Sequence, residues 1–555
     1  MARALTLCAR SESARADPDR AKIPKGGRFA AAAAAIVVSL LAISGAGGSG
    51  VQAPRKGGTV VFGPISEPAC LNLLVAGCPG RGLQLFWIME NVLAPAFLTA
   101  PDFTPRPRLV SRVGFTRSKP FTLTYEIRPE ARWSDGVPVS ARDFVFTHRA
   151  ILRYLPRDTA PEHRMVESIR AVDAKTVKVV LRARVASWRS LFGVVLPQHA
   201  LAGEKLDRIW TDRLDNPKTG EPIGSGPFLV ERWERGKQLT LVRNPRYWGL
   251  HVAYLDRLVI RFCQSCTAPP PAEVLGALRQ GDVDFALSRD TGIVPELRRI
   301  AGVSVVAYPT NGWEHLELRV GPGGHPALRN KLVRRALAYG IDRTENPTSQ
   351  SASFLNTSRY YVPNWKGYSY RPAVARSLLE RAGCRRGGDG IYSCGGERLS
   401  LRFFTTAGAR LRERGLELIQ AQLRRVGVEM LLTFAPGSTL FSQILPRGEF
   451  DAVSFTFFVG DTIGGTGVFG CGGGQNVSGY CQRLVTRDLD QVDKILDASQ
   501  RASLINRVDR QLANDVPVIP LYQVPFVLAY RTTIRNVVAS PSNLFWNAES
   551  WWLAR

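Results

Sequence analysis

The sequence predicts an α/β fold, and three observations carry that prediction. Strand-like and helix-like segments alternate from about Arg55 onward, with neither a tandem repeat nor a long disordered linker. Hydrophobic residues make up 45% of the 555 and charged residues 22%, the ordinary balance of a globular chain. Several helix-like stretches also carry their own start and stop residues. This balance excludes a disordered tail, a collagen-like fibre and a multi-pass membrane protein. At about 150 residues per domain the length allows roughly three or four lobes.

The elements follow in order. Gly58–Phe62 and Thr122–Ile127 read as strands from their β-branched and aromatic content. Ser140-Ala141-Arg142-Asp143 is a capping-box pattern ahead of Phe144, Val145 and Phe146, so a helix starts there. Lys175–Leu181 and Gln238–Val242 are further strands, and a helix covers Leu275–Gln280. Leu328–Tyr339 carries apolar residues at 328, 332, 333, 336, 337 and 339, a helical stripe. Pro372 takes the N1 position of a helix ending near Gly383. Leu411–Val426 is another, with Leu416, Ile419, Leu423 and Val426 as its apolar face and Gly427 as its C-cap. Val516–Leu521 is an apolar strand whose Pro517 and Pro520 are of edge type. Gly464–Gly474 is a loop.

The N-terminus addresses the chain for export. Residues 29–43 form an uncharged run of 15, after Arg20, Lys22, Lys25 and Arg28 and before the small residues Ser44–Gly50 and Val51-Gln52-Ala53. Positive flank, short apolar core and small-residue site are the pattern of an export signal. The run falls short of the ~20 residues that span a bilayer. An uncleaved anchor is the alternative. Cysteine usage agrees with an oxidising compartment. Apart from Cys8, eight cysteines fall as neighbours: Cys70 with Cys78, Cys263 with Cys266, Cys384 with Cys394, and Cys471 with Cys481. Close pairs in an exported chain read as local disulfides. On the chain-entropy argument the Cys384–Cys394 loop would be stabilised by about 2.5–3 kcal/mol. Cys263-Gln264-Ser265-Cys266 is also half of a zinc site, but no second pair or Cys-His cluster completes it.

Charge and motifs narrow the function. The chain has 73 Lys+Arg against 47 Asp+Glu, a net +26, and 61 of the basic residues are Arg. Residues 1–53 hold seven basic and three acidic residues, so the remainder keeps 26 less 4, or +22. No run of five basic residues exists, so the charge reads as a distributed basic surface rather than a nucleic-acid footprint. The six histidines are scattered, and H-E-x-x-H, G-x-S-x-G and G-x-x-x-x-G-K-[ST] are all missing. Gly45/Gly47/Gly50 and Gly465/Gly467/Gly470 match G-x-G-x-x-G but lack its strand–turn–helix setting. The sequence points to binding rather than turnover. No catalytic residue, cofactor or metal ligand is expected.

A set of ordered motifs covers almost the whole exported chain. It begins with Gly57-Gly58-Thr59-Val60 and Glu67-Pro68-Ala69-Cys70-Leu71-Asn72, then Trp133-Ser134-Asp135-Gly136-Val137-Pro138 and Ala141–Phe146. It continues with Gly224-Ser225-Gly226-Pro227-Phe228, Leu241–Trp248 and Gly281-Asp282-Val283-Asp284. Leu328–Arg343, Ala375–Leu379, Ala382-Gly383-Cys384, Asp389-Gly390 and Pro517–Tyr522 complete it. With these motifs the chain resembles the extracytoplasmic solute-binding proteins of family 5, the oligopeptide, dipeptide and nickel class that serves ATP-driven (ABC) importers. It departs at Thr344–Tyr361, which is shortened and rich in Ser, Thr and Asn, close to where relatives shape the pocket.

The resemblance implies a bilobal, periplasmic-binding-protein-like fold. Lobe one, with an extra subdomain, would span 54–308 and 522–555, and lobe two 309–521. The crossings near 309 and 521 would form a hinge. It further implies a monomer that captures peptides or a related small solute between the lobes and delivers them to an ABC permease outside the cytoplasm. An envelope-anchored sensor or scaffold with the same fold is the alternative. Phe450–Asp461 resembles the family segment whose Asp takes the ligand's amino end, which makes Asp461 the first site residue; Asp also suits a turn before the Gly-rich loop. Trp313 and His315 at the crossing, then Trp365 and Phe458, are further lining residues, with core packing as the alternative. Trp133, Asp135 and Gly136 read as a structural turn. Arg334 is expected to form an ion pair.

Overall fold

The computed structural model describes residues 53–74, 83–116, 118–155, 160–263, 270–343, 350–459 and 465–554. The apolar run of the export segment, Cys78, Cys266 and Asp461 lie outside them. Among the described residues no helix is long and apolar enough to cross a membrane.

One ten-stranded sheet runs through the molecule. Its strands in chain order are β1 (Thr59–Ile65), β2 (Phe228–Glu234), β3 (Gln238–Arg243), β4 (Arg257–Phe262), β5 (Phe285–Ser288), β6 (Val303–Leu318), β7 (Ser400–Thr406), β8 (Glu429–Ala435), β9 (Ala452–Phe458) and β10 (Val518–Arg531). Their order across the sheet is β8-β7-β9-β6-β10-β5-β1-β4-β3-β2. The helices that matter below are α1 (Leu83–Val92), α2 (Ala141–Tyr154), α3 (Pro271–Gln280), α4 (Lys331–Gly340), α5 (Pro372–Arg381), α6 (Arg410–Val426), α7 (Arg483–Val492) and α8 (Ala498–Asp515).

Two large cores form on this sheet. The first joins β1–β5, α1, α2 and the C-terminal Phe545 and Trp551. It includes a separate antiparallel sheet in the order Val110–Phe115, Phe121–Ile127, Thr176–Leu181, Val166–Ala171. The second joins β7, β8, α4–α8 and the outer halves of β6 and β10. Only β6 and β10 belong to both, and they pair with each other along most of their length. Their ladder breaks between Pro309↔Pro525 and Trp313↔Gln523, and again between Glu314↔Tyr522 and His315↔Pro520.

Those breaks correct the expectation of an edge strand at Val516–Leu521. β10 lies inside the sheet, between β6 and β5. Proline lacks the N–H that an interior ladder needs. Pro309, Pro520 and Pro525 all sit beside register breaks, where the ladder is already interrupted.

Local signals explain the rest. The Asp143 carboxylate accepts from the Ser140 N–H at 2.7 Å, which seats the start of α2. The helix over Leu328–Tyr339 starts later than expected, at Lys331, because Asn330 Oδ1 accepts the Leu332 N–H and caps it. α6 ends where Gly427 takes φ +90°, with a Cβ there set against the Tyr392 ring. At Gly226 a Cβ would collide with the Asn91 carbonyl, so glycine is required by close approach. Trp133–Val137 closes a turn that feeds α2: Trp133 N–H donates to Val137 O at 2.8 Å, and Gly136 takes φ +95°. Asp135 is tied to His199 Nε2 at 2.7 Å.

Arg334 departs from expectation. Among the described residues it makes no ion pair; its guanidinium donates to the carbonyls of Asp515, Val516, Leu328 and Arg329 at 2.7–3.1 Å. The end of α8 leaves carbonyls without intrahelical partners, and a planar fork can gather several at once. Disulfides join Cys384 to Cys394 and Cys471 to Cys481. Cys70 and Cys263 are also disulfide-bonded.

Candidate functional site

β6 brings two different chemistries to its two faces, because successive side chains alternate. On one face Glu314 is buried and fully used. Its Oε1 accepts from Arg412 Nε at 2.7 Å and Ser454 Oγ at 2.6 Å, and its Oε2 from Thr456 Oγ1 at 2.6 Å. Arg412, from α6, also donates to Thr406 Oγ1 and Thr456 Oγ1, each at 2.7 Å. Burial pushes the Glu314 carboxyl up, but Arg412 and the hydroxyls outweigh it and hold it below the ordinary carboxylate range. Beside the pair lies a cavity of about 60 Å³ lined by Arg343, Ile419 and Tyr522 among others. That is small against the ~300–1,000 Å³ of a ligand site.

On the opposite face, Trp313 stacks on His315 with ring centroids 4.0 Å apart and planes 6° apart, and Phe457 of β9 stacks on His315 at 5.1 Å. Both rings on β6 are fully buried. His315 Nε2 lies 3.3 Å from Glu317 Oε1 without hydrogen-bond alignment, and Trp313 Nε1 has no partner. So these two expected lining residues form the packed floor under β9.

Where the ladder breaks, two side-chain amides, Asn311 and Gln523, lie at the level of the break. Asn311 Nδ2 donates to Val459 O at 2.9 Å, and Gln523 Nε2 to Thr357 Oγ1 at 3.1 Å. Among the described residues, the buried Asn311 Oδ1 and Gln523 Oε1 accept no hydrogen bond. Phe458, the last residue of β9, is 37% exposed. Arg289, just after β5, places its Cζ 5.4 Å from the Phe458 ring centroid and 5.7 Å from that of Phe526.

Trp365 sits elsewhere. It is buried, and its Nε1 donates to Asp509 Oδ1 at 3.1 Å. Asp509 also accepts from the Ala352 N–H at 2.7 Å, Ser351 Oγ at 3.0 Å and Asn364 Nδ2 at 2.6 Å. One carboxylate on α8 therefore pins Ser351, Ala352, Asn364 and Trp365, the first two within the divergent segment Thr344–Tyr361. Sequence reading overlooked Asp509. The signal was an acid on the apolar face of α8, flanked by Ile505, Val508 and Leu512. Burial raises its carboxyl, against which those donors act.

Comparison with known proteins now decides the family. Residues 104–467 match the family described as bacterial extracellular solute-binding proteins, family 5 (middle region). The chain belongs to family 5 of the bacterial extracellular solute-binding proteins. Among its relatives, the oligopeptide-binding protein OppA of Mycobacterium tuberculosis is 27% identical over 516 residues, covering 88% of this chain and 83% of the relative. The oligopeptide-binding protein AppA of Bacillus subtilis is 24% identical over 530 residues, covering 90% and 93%. Among solved structures, the periplasmic EDTA-binding protein EppA superposes with a TM-score of 0.79 at 22% identity, covering 91% of this chain and 98% of that one. AppA of B. subtilis in complex with a nonapeptide superposes with a TM-score of 0.74 at 21% identity, covering 91% and 100%. The fold is therefore that of the bilobal binding proteins. The two cores are joined by β6 and β10, the strands that belong to both.

Proposed function

We propose that this family 5 protein captures peptides between its lobes, as a monomer outside the cytoplasm, and hands them to an ABC permease. The observation that carries the reading is the double ladder break in β6 and β10. Both interlobe connections lose regular pairing at the same level, Pro309–Trp313 against Gln523–Pro525. A pair of weakened strands is where a hinge bends, and hinge closure around a solute is a recurrent motion of two-lobed binders. The relatives named oligopeptide-binding proteins support peptide as the solute. Asn311 Oδ1 and Gln523 Oε1, without partners at the same level, are acceptors suited to main-chain N–H groups.

In this reading Phe458 and Asp461 touch the peptide, Asp461 at its amino end. Trp313 and His315 stiffen β6 behind them, and Trp365 with Asp509 holds the segment at 351–365 that closes one side. The segment 1–53 directs export, and the distributed positive charge faces the anionic envelope. Calorimetry and thermal shift with di- to hexapeptides test the function: micromolar or tighter binding with a raised Tm is expected. If no peptide raises the Tm, peptide is not the solute. Asp461→Ala is expected to weaken free-amine peptides at least tenfold and N-acetylated peptides little. Equal loss for both would remove the amino-end role.

A further inference from the structure

Arg289 has no paired counter-charge among the described residues, where it makes no hydrogen bond and no ion pair; Glu314 acts on it only as a more distant charge. Its ring neighbours are Phe458 of β9 and Phe526 of the adjacent strand β10. The other deeply placed guanidiniums behave differently. Arg108 bonds Glu549, Arg334 and Arg343 bond main-chain carbonyls, and Arg412 bonds Glu314. Arg289 is half-buried. Burial and the facing Arg412 press its pKa down to about 10, so it still carries its charge at neutral pH.

The nearby charges do not balance. Arg412 spends Nε on Glu314, Nη1 on Thr406 and Nη2 on Thr456. Both oxygens of Glu314 are occupied by Arg412, Ser454 and Thr456. Glu314 is therefore saturated and has no oxygen left for Arg289, whose charge stays without a hydrogen-bonded partner. A cation held partly out of water is unfavourable unless an anion meets it. Aromatic faces can take the guanidinium plane while its N–H edge stays open, and that edge fits a carboxylate with two parallel hydrogen bonds.

We infer that Arg289 is the receptor for a carboxylate of the captured solute, seated between the end of β5 in lobe one and the end of β9 in lobe two. The inference rests on the solute-capture reading and sharpens it: the solute class is peptides with a free carboxylate, either the C-terminus or an Asp or Glu side chain. The anion neutralises the surplus charge only when both lobes surround it, so it also couples recognition to closure.

The test is calorimetry on the full chain and on Arg289→Gln, with three probes: alanine-based pentapeptides as free acids, the same peptides C-amidated, and amidated peptides bearing one Asp. If the C-terminus is read, amidation weakens wild-type binding at least tenfold and the Asp does not restore it. If a side chain is read, the amidated Asp peptides bind at least tenfold tighter than those without it. In either case Arg289→Gln shrinks the discrimination to about twofold or less. Equal binding of all three probes by the wild type overturns the inference while peptide capture stands, as does discrimination that survives Arg289→Gln. No binding of any probe to the wild type overturns the peptide reading and this inference with it. Arg289→Met, without ligand, is expected to melt at the same temperature or higher, because it removes an unbalanced charge. A clear fall in its Tm would mark Arg289 as structural and overturn the receptor role.

Discussion

Glu90 on α1 is half-buried and Glu314 on β6 fully buried, and among the described residues only Glu314 meets an arginine. Glu314 has Arg412 and two hydroxyls on its oxygens, and its carboxyl stands below the ordinary range. Glu90 has a single amide donor, Asn543 Nδ2, and burial drives its pKa up to about 7. Desolvation acts on both in the same direction; the partner set decides which form wins. Glu314 thus belongs to a fixed charge pair, whereas Glu90 is an acid that changes charge near neutrality.

The sharpest way to break this comparison is to strand Glu314. Arg412→Met leaves an unpaired buried carboxylate and is expected to cost about 3–5 kcal/mol in urea denaturation. The double variant Arg412→Met/Glu314→Leu should recover most of that loss, because no isolated charge remains. A loss under about 1 kcal/mol for the single change would show that Glu314 is solvated after all.

Next in size is the pH response. The folded-state pKa of Glu90 is raised from 4.5 to about 7, so its favourable contribution is present below about pH 4.5 and is lost as pH rises through 7. Glu90→Gln is accordingly expected to stabilise by about 1–3 kcal/mol at pH 8 and hardly at all at pH 4.5, read from Tm against pH. Glu314 has the opposite sign. Its folded pKa lies below 4.5, so its contribution is present above about pH 4.5 and disappears as pH falls through the folded value. Glu314→Gln should flatten the acid limb of the same profile. Identical profiles for the two variants would erase the distinction.

The smallest expected effect is on the other face of β6. His315→Phe keeps the stack on Trp313 and Phe457 and removes Nε2, which has no aligned partner, together with the long 3.4 Å contact of Nδ1 to the Trp313 carbonyl. Exchanging an unsatisfied polar atom for an apolar one is near neutral, so the expected change is within about 1 kcal/mol of the parent. A larger loss would mean that the 3.3 Å approach to Glu317 stabilises the fold.

Much of this was legible in the sequence. Gly427, Pro372 and the Ser140–Asp143 box marked helix ends because each acts through local backbone geometry. The Cys384–Cys394 and Cys471–Cys481 bonds were legible from spacing alone. The central placement of β10 was not, since an apolar run with prolines fits an edge equally well until its neighbours are known. Arg334 on the carbonyls of Asp515 and Val516, and Asp509 on Trp365, were hidden for the same reason: those partners lie more than 140 positions away. Arg289 stood out only by contrast, once the other buried arginines were seen to be paired.

By itself the sequence determined the α/β class, the ends of its helices, the pairing of its neighbouring cysteines and the ordered motifs of its family, because each depends on nearby residues or on the order of segments. Only the tertiary structure decided that β6 and β10 break their ladder at one level, that Glu314 is balanced and that Arg289 is not. Hydrogen-bond satisfaction and charge balance are properties of groups brought together across hundreds of residues, and burial sets how strongly each imbalance acts.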